Sequence, residues 1–170
     1  MKHVRALCRR IMNGPPPVTD ITGFCARLGD LRRRPILLLP FAAAADAPTG
    51  LWVKGRLQDY VFYQSGTPAM HQEAIIWHEL AHLVLDHPGP AMDADAARLL
   101  LPDLDPAVVI RMLGRGSYRQ DIEREAEELA SHLLLDFADH RRRASRAGSR
   151  ADPVTERLKT ALNYTDDTLA

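Results

Sequence analysis

The chain has only two cysteines, Cys8 and Cys25. Neither belongs to a Cys-x-x-C pair or neighbours a histidine, so the pattern excludes a disulfide framework and a zinc ribbon. Two reduced thiols in a cytosolic protein are the expectation. Long apolar runs are missing too: no stretch approaches the ~18 consecutive apolar residues of a membrane span. The basic segment over residues 1–11 has no apolar stretch behind its charges, as a secretory signal would. These absences predict a cytoplasmic protein with no membrane partner. An excess of one charge is also lacking. Lys+Arg and Asp+Glu are 22 each, a balance that argues against a chain devoted to polyanions. Arg32-Arg33-Arg34 and Arg141-Arg142-Arg143 both fall at predicted helix ends, where cations suit the helix dipole, and no aromatics are interleaved with them. Direct nucleic-acid binding is not expected, and no internal repeat is visible.

What is present is a chain of 170 residues, 46% apolar and 26% charged, enough for one soluble domain with a core of its own. Apolar spacing predicts a short helix over 3–12, stopped by Asn13-Gly14 and three prolines. A second helix is predicted over 19–31, with Ile21, Phe24, Cys25 and Leu28 on its core face. Residues 36–39, 51–54 and 60–63 are rich in β-formers and separated by Pro40 and a turn around Gly55, so three strands are expected. Their succession suggests a small meander, mostly antiparallel. Thr67-Pro68 marks the start of a helix reaching about residue 86, apolar nearly all round and therefore central to the domain. A helix near 106–113, a long helix over 121–140, a basic small-residue linker over 141–152 and a short helix over 153–162 follow. The predicted class is α+β: a three-stranded sheet packed on two long helices, with residues 1–140 as the domain and 141–170 as linker and terminal helix.

The central helix carries His78-Glu79-Leu80-Ala81-His82. Residues four apart lie one above the other on a helix, so both imidazoles project from one face and can share an ion. Zinc suits two neutral imidazoles and a carboxylate in a tetrahedral site with one position left for water. Glu79 is rotated about 100° from His78, which sets it beside the ion as a general base. Two histidines and a glutamate on an apolar helix each need a buried partner, and a metal serves both histidines at once.

The third ligand lies elsewhere. A metzincin would need histidine and glycine where Pro88 and Leu85 stand, so that arrangement is excluded. His87, just past the helix end, suits a capping or surface role. His71 is one face with His78 but about 10 Å away along the axis, too far to share an ion. The long helix over 121–140 is the better source. Glu123 and Glu125 flank its core stripe of Ile122, Ala126, Leu129 and Leu133 from opposite sides, and periodicity does not choose between them.

With these two helices in this order, the chain resembles the ImmA/IrrE family of bacterial metallopeptidases. Those proteins pair an H-E-x-x-H helix with a later helix reading roughly E-x-E-A-x-x-[FL]-A-x-x-L-L. Here the match is His78 to His82 and Glu123-Arg124-Glu125-Ala126-Glu127-Glu128-Leu129-Ala130-Ser131-His132-Leu133-Leu134. It spans about residues 18–138, and the three preceding strands suit it. Glu127, Leu129 and Asp136 depart from the asparagine, phenylalanine and proline usual in the family, at positions outside the implied ligands. The resemblance implies a zincin-like core with His78, His82 and Glu125 as zinc ligands in a gluzincin-like set. It also implies a protein substrate, a helix-turn-helix repressor, encoded apart from this chain.

The expected chemistry is peptide-bond hydrolysis with Zn2+ as cofactor and Glu79 as base. An oxyanion donor is also required; Tyr118 is the first candidate, with Tyr60, Tyr63 and His132 behind it. An extended substrate can add to a sheet edge, for which residues 60–63 are a candidate. The competing expectation is a regulatory module that keeps zinc, cleaves nothing and sequesters a transcriptional regulator.

Overall fold

A computed structural model describes residues 2–42, 48–55, 57–88 and 120–150, the last four in backbone only. Among them are four helices, α1 (Lys2–Asn13), α2 (Ile21–Arg32), α3 (Ala69–Val84) and α4 (Gln120–Arg150), and three strands, β1 (Ile36–Phe41), β2 (Gly50–Lys54) and β3 (Asp59–Gln64). The class is α+β, as expected.

The sheet is mixed, which corrects the meander. Its order is β1-β3-β2, with β1 parallel and β2 antiparallel to β3. The reason is burial: Asp59, Tyr60, Val61 and Phe62 are all buried, the mark of a central strand. A strand flanked on both sides has no free edge, so residues 60–63 cannot accept an added peptide. Pro40 does not end β1, which continues to Phe41. Asp59 N–H donates to Pro35 O and Ser65 N–H to Phe41 O. The odd-numbered residues of β1 therefore face β3, and the N–H that Pro40 lacks falls on the outer edge.

Asp20 caps α2, accepting from Gly23 N–H at 2.7 Å. At α3 the cap position is Pro68, one residue earlier in the helix frame than expected, and Thr67 donates its hydroxyl to Gln64 O instead of capping. One side of α3 meets β2 and β3, and the other meets α4. Trp77 sits at the centre of the core, with Phe24 and Phe137 at 4.8 and 5.2 Å between ring centroids. Around it are Leu28, Trp52, Leu80, Leu83, Leu129 and Leu133, all buried. Cys8 and Cys25 are free and buried; burial pushes both thiols up to about 12, so they behave as small apolar side chains.

The linker predicted over 141–152 is corrected as well, because α4 runs on to Arg150. Arg141 is held: its guanidinium makes a two-point bond to Glu73 on α3, at 2.6 and 3.1 Å, and lies over the Phe137 ring. The other arginine run is also absorbed by the fold. Arg33 is the left-handed cap of α2, while Arg32 and Arg34 turn inward onto the buried Asp59. The helices predicted at 106–113 and 153–162 lie outside the described residues.

Candidate metal centre

On α3, His78 and His82 stand one turn apart, and their Nε2 atoms approach to 3.1 Å. Glu123, in the first turn of α4, brings Oε2 to 3.3 Å from His78 Nε2 and 3.7 Å from His82 Nε2. Two atoms bound at about 2.05 Å to one tetrahedral ion lie about 3.3 Å apart. The three separations fall around that value, so the donor set fits a zinc-sized ion by geometry as well as by chemistry. His82 is fully buried. Its surroundings, together with the neighbouring His78 and His87, push its pKa down to about 3, which leaves a neutral imidazole, the form that ligates. His78 and Glu123 keep 28% and 36% of their side chains exposed, so the face beside the three donors is reachable from solvent among the described residues.

Glu125, the implied third ligand, is not at the histidine pair. Its Oε2 lies 3.4 Å from His87 Nε2, on the other side of His82, and the residue is exposed. Two residues along a helix turn the side chain by about 200°. Only one of Glu123 and Glu125 can face the pair, and the docking of α4 on α3 selects Glu123. For His87 the capping half of the expectation holds, since its N–H donates to His82 O, and the surface half is corrected. It is 8% exposed, not a surface residue, and its Nδ1 lies 3.0 Å from His82 Nδ1. No periodic signal marked it, because it lies past the end of α3.

Glu79 is buried and rotated off the ligand face, as its position on the helix predicts. Its Oε2 accepts the backbone N–H of Trp52 at 2.7 Å. Gln64 N–H donates to Thr49 O, so alternation along β2 turns the N–H and C=O of Gly50, Trp52 and Lys54 away from β3. Glu79 thus sits against the outer edge of β2. Gly50 makes room for it: a Cβ there would fall 2.6 Å from Ile75 Cγ2 and 2.8 Å from Glu79 Oε1. Burial pushes the Glu79 carboxyl up to about 8, and the charge of Glu123 adds to the rise while the Trp52 N–H opposes it.

Of the oxyanion candidates, Tyr63 on β3 is half-buried and pairs with Gly50. Tyr118 lies outside the described residues. Tyr60 is buried, with its hydroxyl accepting from Gln58 at the turn end of the sheet. His132 follows Glu123 by nine residues, about half a helical turn out of phase with it. No protein-family model, no curated protein and no solved structure matches this chain.

Proposed function

We propose that this chain is a zinc-dependent endopeptidase with a zincin-like core, acting in the cytoplasm on a protein partner, with a helix-turn-helix repressor as the expected substrate. The carrying observation is the set of His78 Nε2, His82 Nε2 and Glu123 Oε2 at tetrahedral spacing, next to a buried glutamate held by the outer edge of β2. Those three residues would hold the ion. Zinc bound there supplies a Lewis acid that polarises the scissile carbonyl and acidifies the attacking water.

Glu79 takes the proton of that water and hands it to the leaving amine. Burial raises the proton affinity of this carboxyl in the metal-free site, a bound dication would lower it again, and the Trp52 N–H fixes which oxygen stays free. The extended substrate adds beside β2 rather than β3, because β2 pairs only with β3 among the described residues; with Trp52 N–H given to Glu79, pairing would use the outward groups of Gly50 and Lys54. Next to His78 a recess of about 180 Å³, walled by Ala74, Trp77, Ala130 and Leu134 together with Glu127 and Ser131, could take one substrate side chain.

One observation favours the second reading, a zinc-holding regulatory module. Glu79 ties α3 to β2 through Trp52, so its presence has a structural reason apart from catalysis. Glu79→Gln separates the two, because an amide oxygen can still accept from Trp52. The test is zinc stoichiometry of purified protein together with cleavage of a fluorogenic peptide library. About one zinc per chain, lost in Glu123→Ala and kept in Glu125→Ala, with cleavage abolished in Glu79→Gln, supports the peptidase. Zinc without cleavage, and regulation of the repressor unchanged in Glu79→Gln, supports the module. No zinc in the wild type removes both.

A further inference from the structure

We propose that His87 and Glu125 are positioning residues for His82, the outer members of a hydrogen-bonded chain Glu125–His87–His82 that holds the ligand histidine in its metal-binding tautomer. This rests on the zinc reading above. The links are 3.4 Å from Glu125 Oε2 to His87 Nε2 and 3.0 Å from His87 Nδ1 to His82 Nδ1. Both rings are buried, at 8% and 0% exposure, so each has little water within reach to stand in for the other.

The direction of donation follows from elementary bonding. Two neutral ring nitrogens in contact share one proton, so one donates and the other accepts. His82 Nε2 faces His78 and Glu123 and needs its lone pair to ligate, which places the proton on Nδ1 and makes His82 the donor. His87 Nδ1 is then the acceptor, and the His87 proton sits on Nε2, where it donates to Glu125. In the opposite arrangement His87 Nδ1 donates to His82 Nδ1, and the His82 proton moves to Nε2, in the middle of the three donors. A carboxylate accepts but does not donate. Glu125 therefore favours His87 Nε2–H, and through it the ligating tautomer of His82. Outer partners of this kind orient the ligand ring and raise its basicity.

Backbone geometry brings His87 to this place. After α3 ends, Asp86 takes a left-handed conformation, φ 53°, and His87 N–H donates to His82 O at 3.0 Å. The chain turns back over the helix end and lays the imidazole against His82. The same helix end is fixed from α2, where Arg32 donates to Leu83 O at 3.1 Å. Glu125 reaches from α4, so the positioning chain spans the same two helices as the ligands.

The test is zinc affinity of the full chain, measured by competition with a chromophoric chelator, with the visible absorption of the Co2+-loaded protein as a second readout. His87→Leu is expected to weaken zinc about 10- to 100-fold and to shift the Co2+ bands. His87→Asn is expected to recover most of the loss, because its side-chain oxygen can stand in for Nδ1 as acceptor. Glu125→Gln, whose amide can donate as well as accept, is expected to lose about tenfold, and Glu128→Gln on the exposed face of α4 nothing. Unchanged affinity in both His87→Leu and Glu125→Gln overturns the proposal. So does a His87→Leu protein as empty as His82→Ala, which would make His87 a ligand. If His87→Leu does not fold, Glu125→Gln against Glu128→Gln decides. A wild type without zinc overturns the metal centre itself, and that outcome is read on the wild type alone.

Discussion

Two buried polar clusters border the C-terminal half of α3, and they are built on opposite terms. Around Asp59 the charges are opposite: its two oxygens face Arg34 at 2.9 Å and Arg32 at 3.4 Å, and the same guanidinium groups reach Gly55 O and Leu83 O. Around His82, histidine also meets histidine and one carboxyl lies near another, beside the His–Glu contacts. His78 and His87 both disfavour its protonated form, and Glu123 disfavours the ionised form of Glu79. The first cluster pairs each guanidinium with the Asp59 carboxylate and joins α2, the sheet and α3. The second gathers neutral imidazoles and carboxyls, the kind of donor set that a dication would satisfy. Burial alone does not separate the two clusters; the kind of neighbour does.

Breaking the Asp59 cluster has the largest expected effect. Asp59→Ala leaves two partly buried arginines without their counter-charge and should cost about 3 kcal/mol, read as a lower denaturation midpoint, with zinc stoichiometry unchanged below the transition. Loss of zinc along with stability would mean that the two clusters are coupled through Leu83. Next is Gly50→Ala, whose methyl would collide with Ile75 and displace Glu79 from Trp52. Overpacking of this kind costs roughly 1–3 kcal/mol, and cleavage should fall further than stability does. Wild-type activity in that variant would detach the β2 edge from the mechanism.

The comparison also predicts how metal-free stability follows pH. The Glu79 carboxyl is raised in the fold from 4.5 to about 8, so its contribution is whole below pH 4.5 and is lost as pH rises to 8. His82 is lowered from 6.5 to about 3, so its contribution is whole above pH 6.5 and is lost as pH falls to 3. The two oppose each other where the windows overlap. Chelator-treated protein should therefore be most stable between pH 4.5 and 6.5 and weaken on both sides. In Glu79→Gln the alkaline limb, between pH 6.5 and 8, should flatten while the acid limb persists. A wild-type alkaline limb that survives the substitution assigns it to another group. The smallest effect is expected at Arg141→Ala, an exposed ion pair with Glu73 worth about 0.5 kcal/mol, measurable as a slightly lower midpoint with zinc stoichiometry the same as in the wild type.

How much of this was legible in the chain varies by element. The central helix, with His78 and His82 on one face and Glu79 turned off it, was plain, because a helix with a fixed period puts residues four apart in one place whatever surrounds it. The same regularity gave the buried stripe Ala126, Leu129 and Leu133 on α4. Strand segments were visible from their β-forming residues, but their order was not. Nothing local distinguishes a meander from a β1-β3-β2 sheet, since pairing partners are chosen by burial across the whole layer. The helical run through Arg141 was misread because its small and basic residues resemble a linker; its contacts to Glu73 and Phe137 come from α3 and from α4 itself.

By itself, the amino-acid sequence determined the α+β class, the chemistry of the donor set and the face from which two of the donors project. These are local consequences of side-chain type and helical period. Tertiary structure decided which glutamate joins the histidines, that β2 rather than β3 has an edge at the site, and that His87 is buried against His82. Each of these depends on the angle and register at which α4 and the sheet dock on α3. That docking is set by many apolar contacts acting together, and no single stretch of chain encodes it.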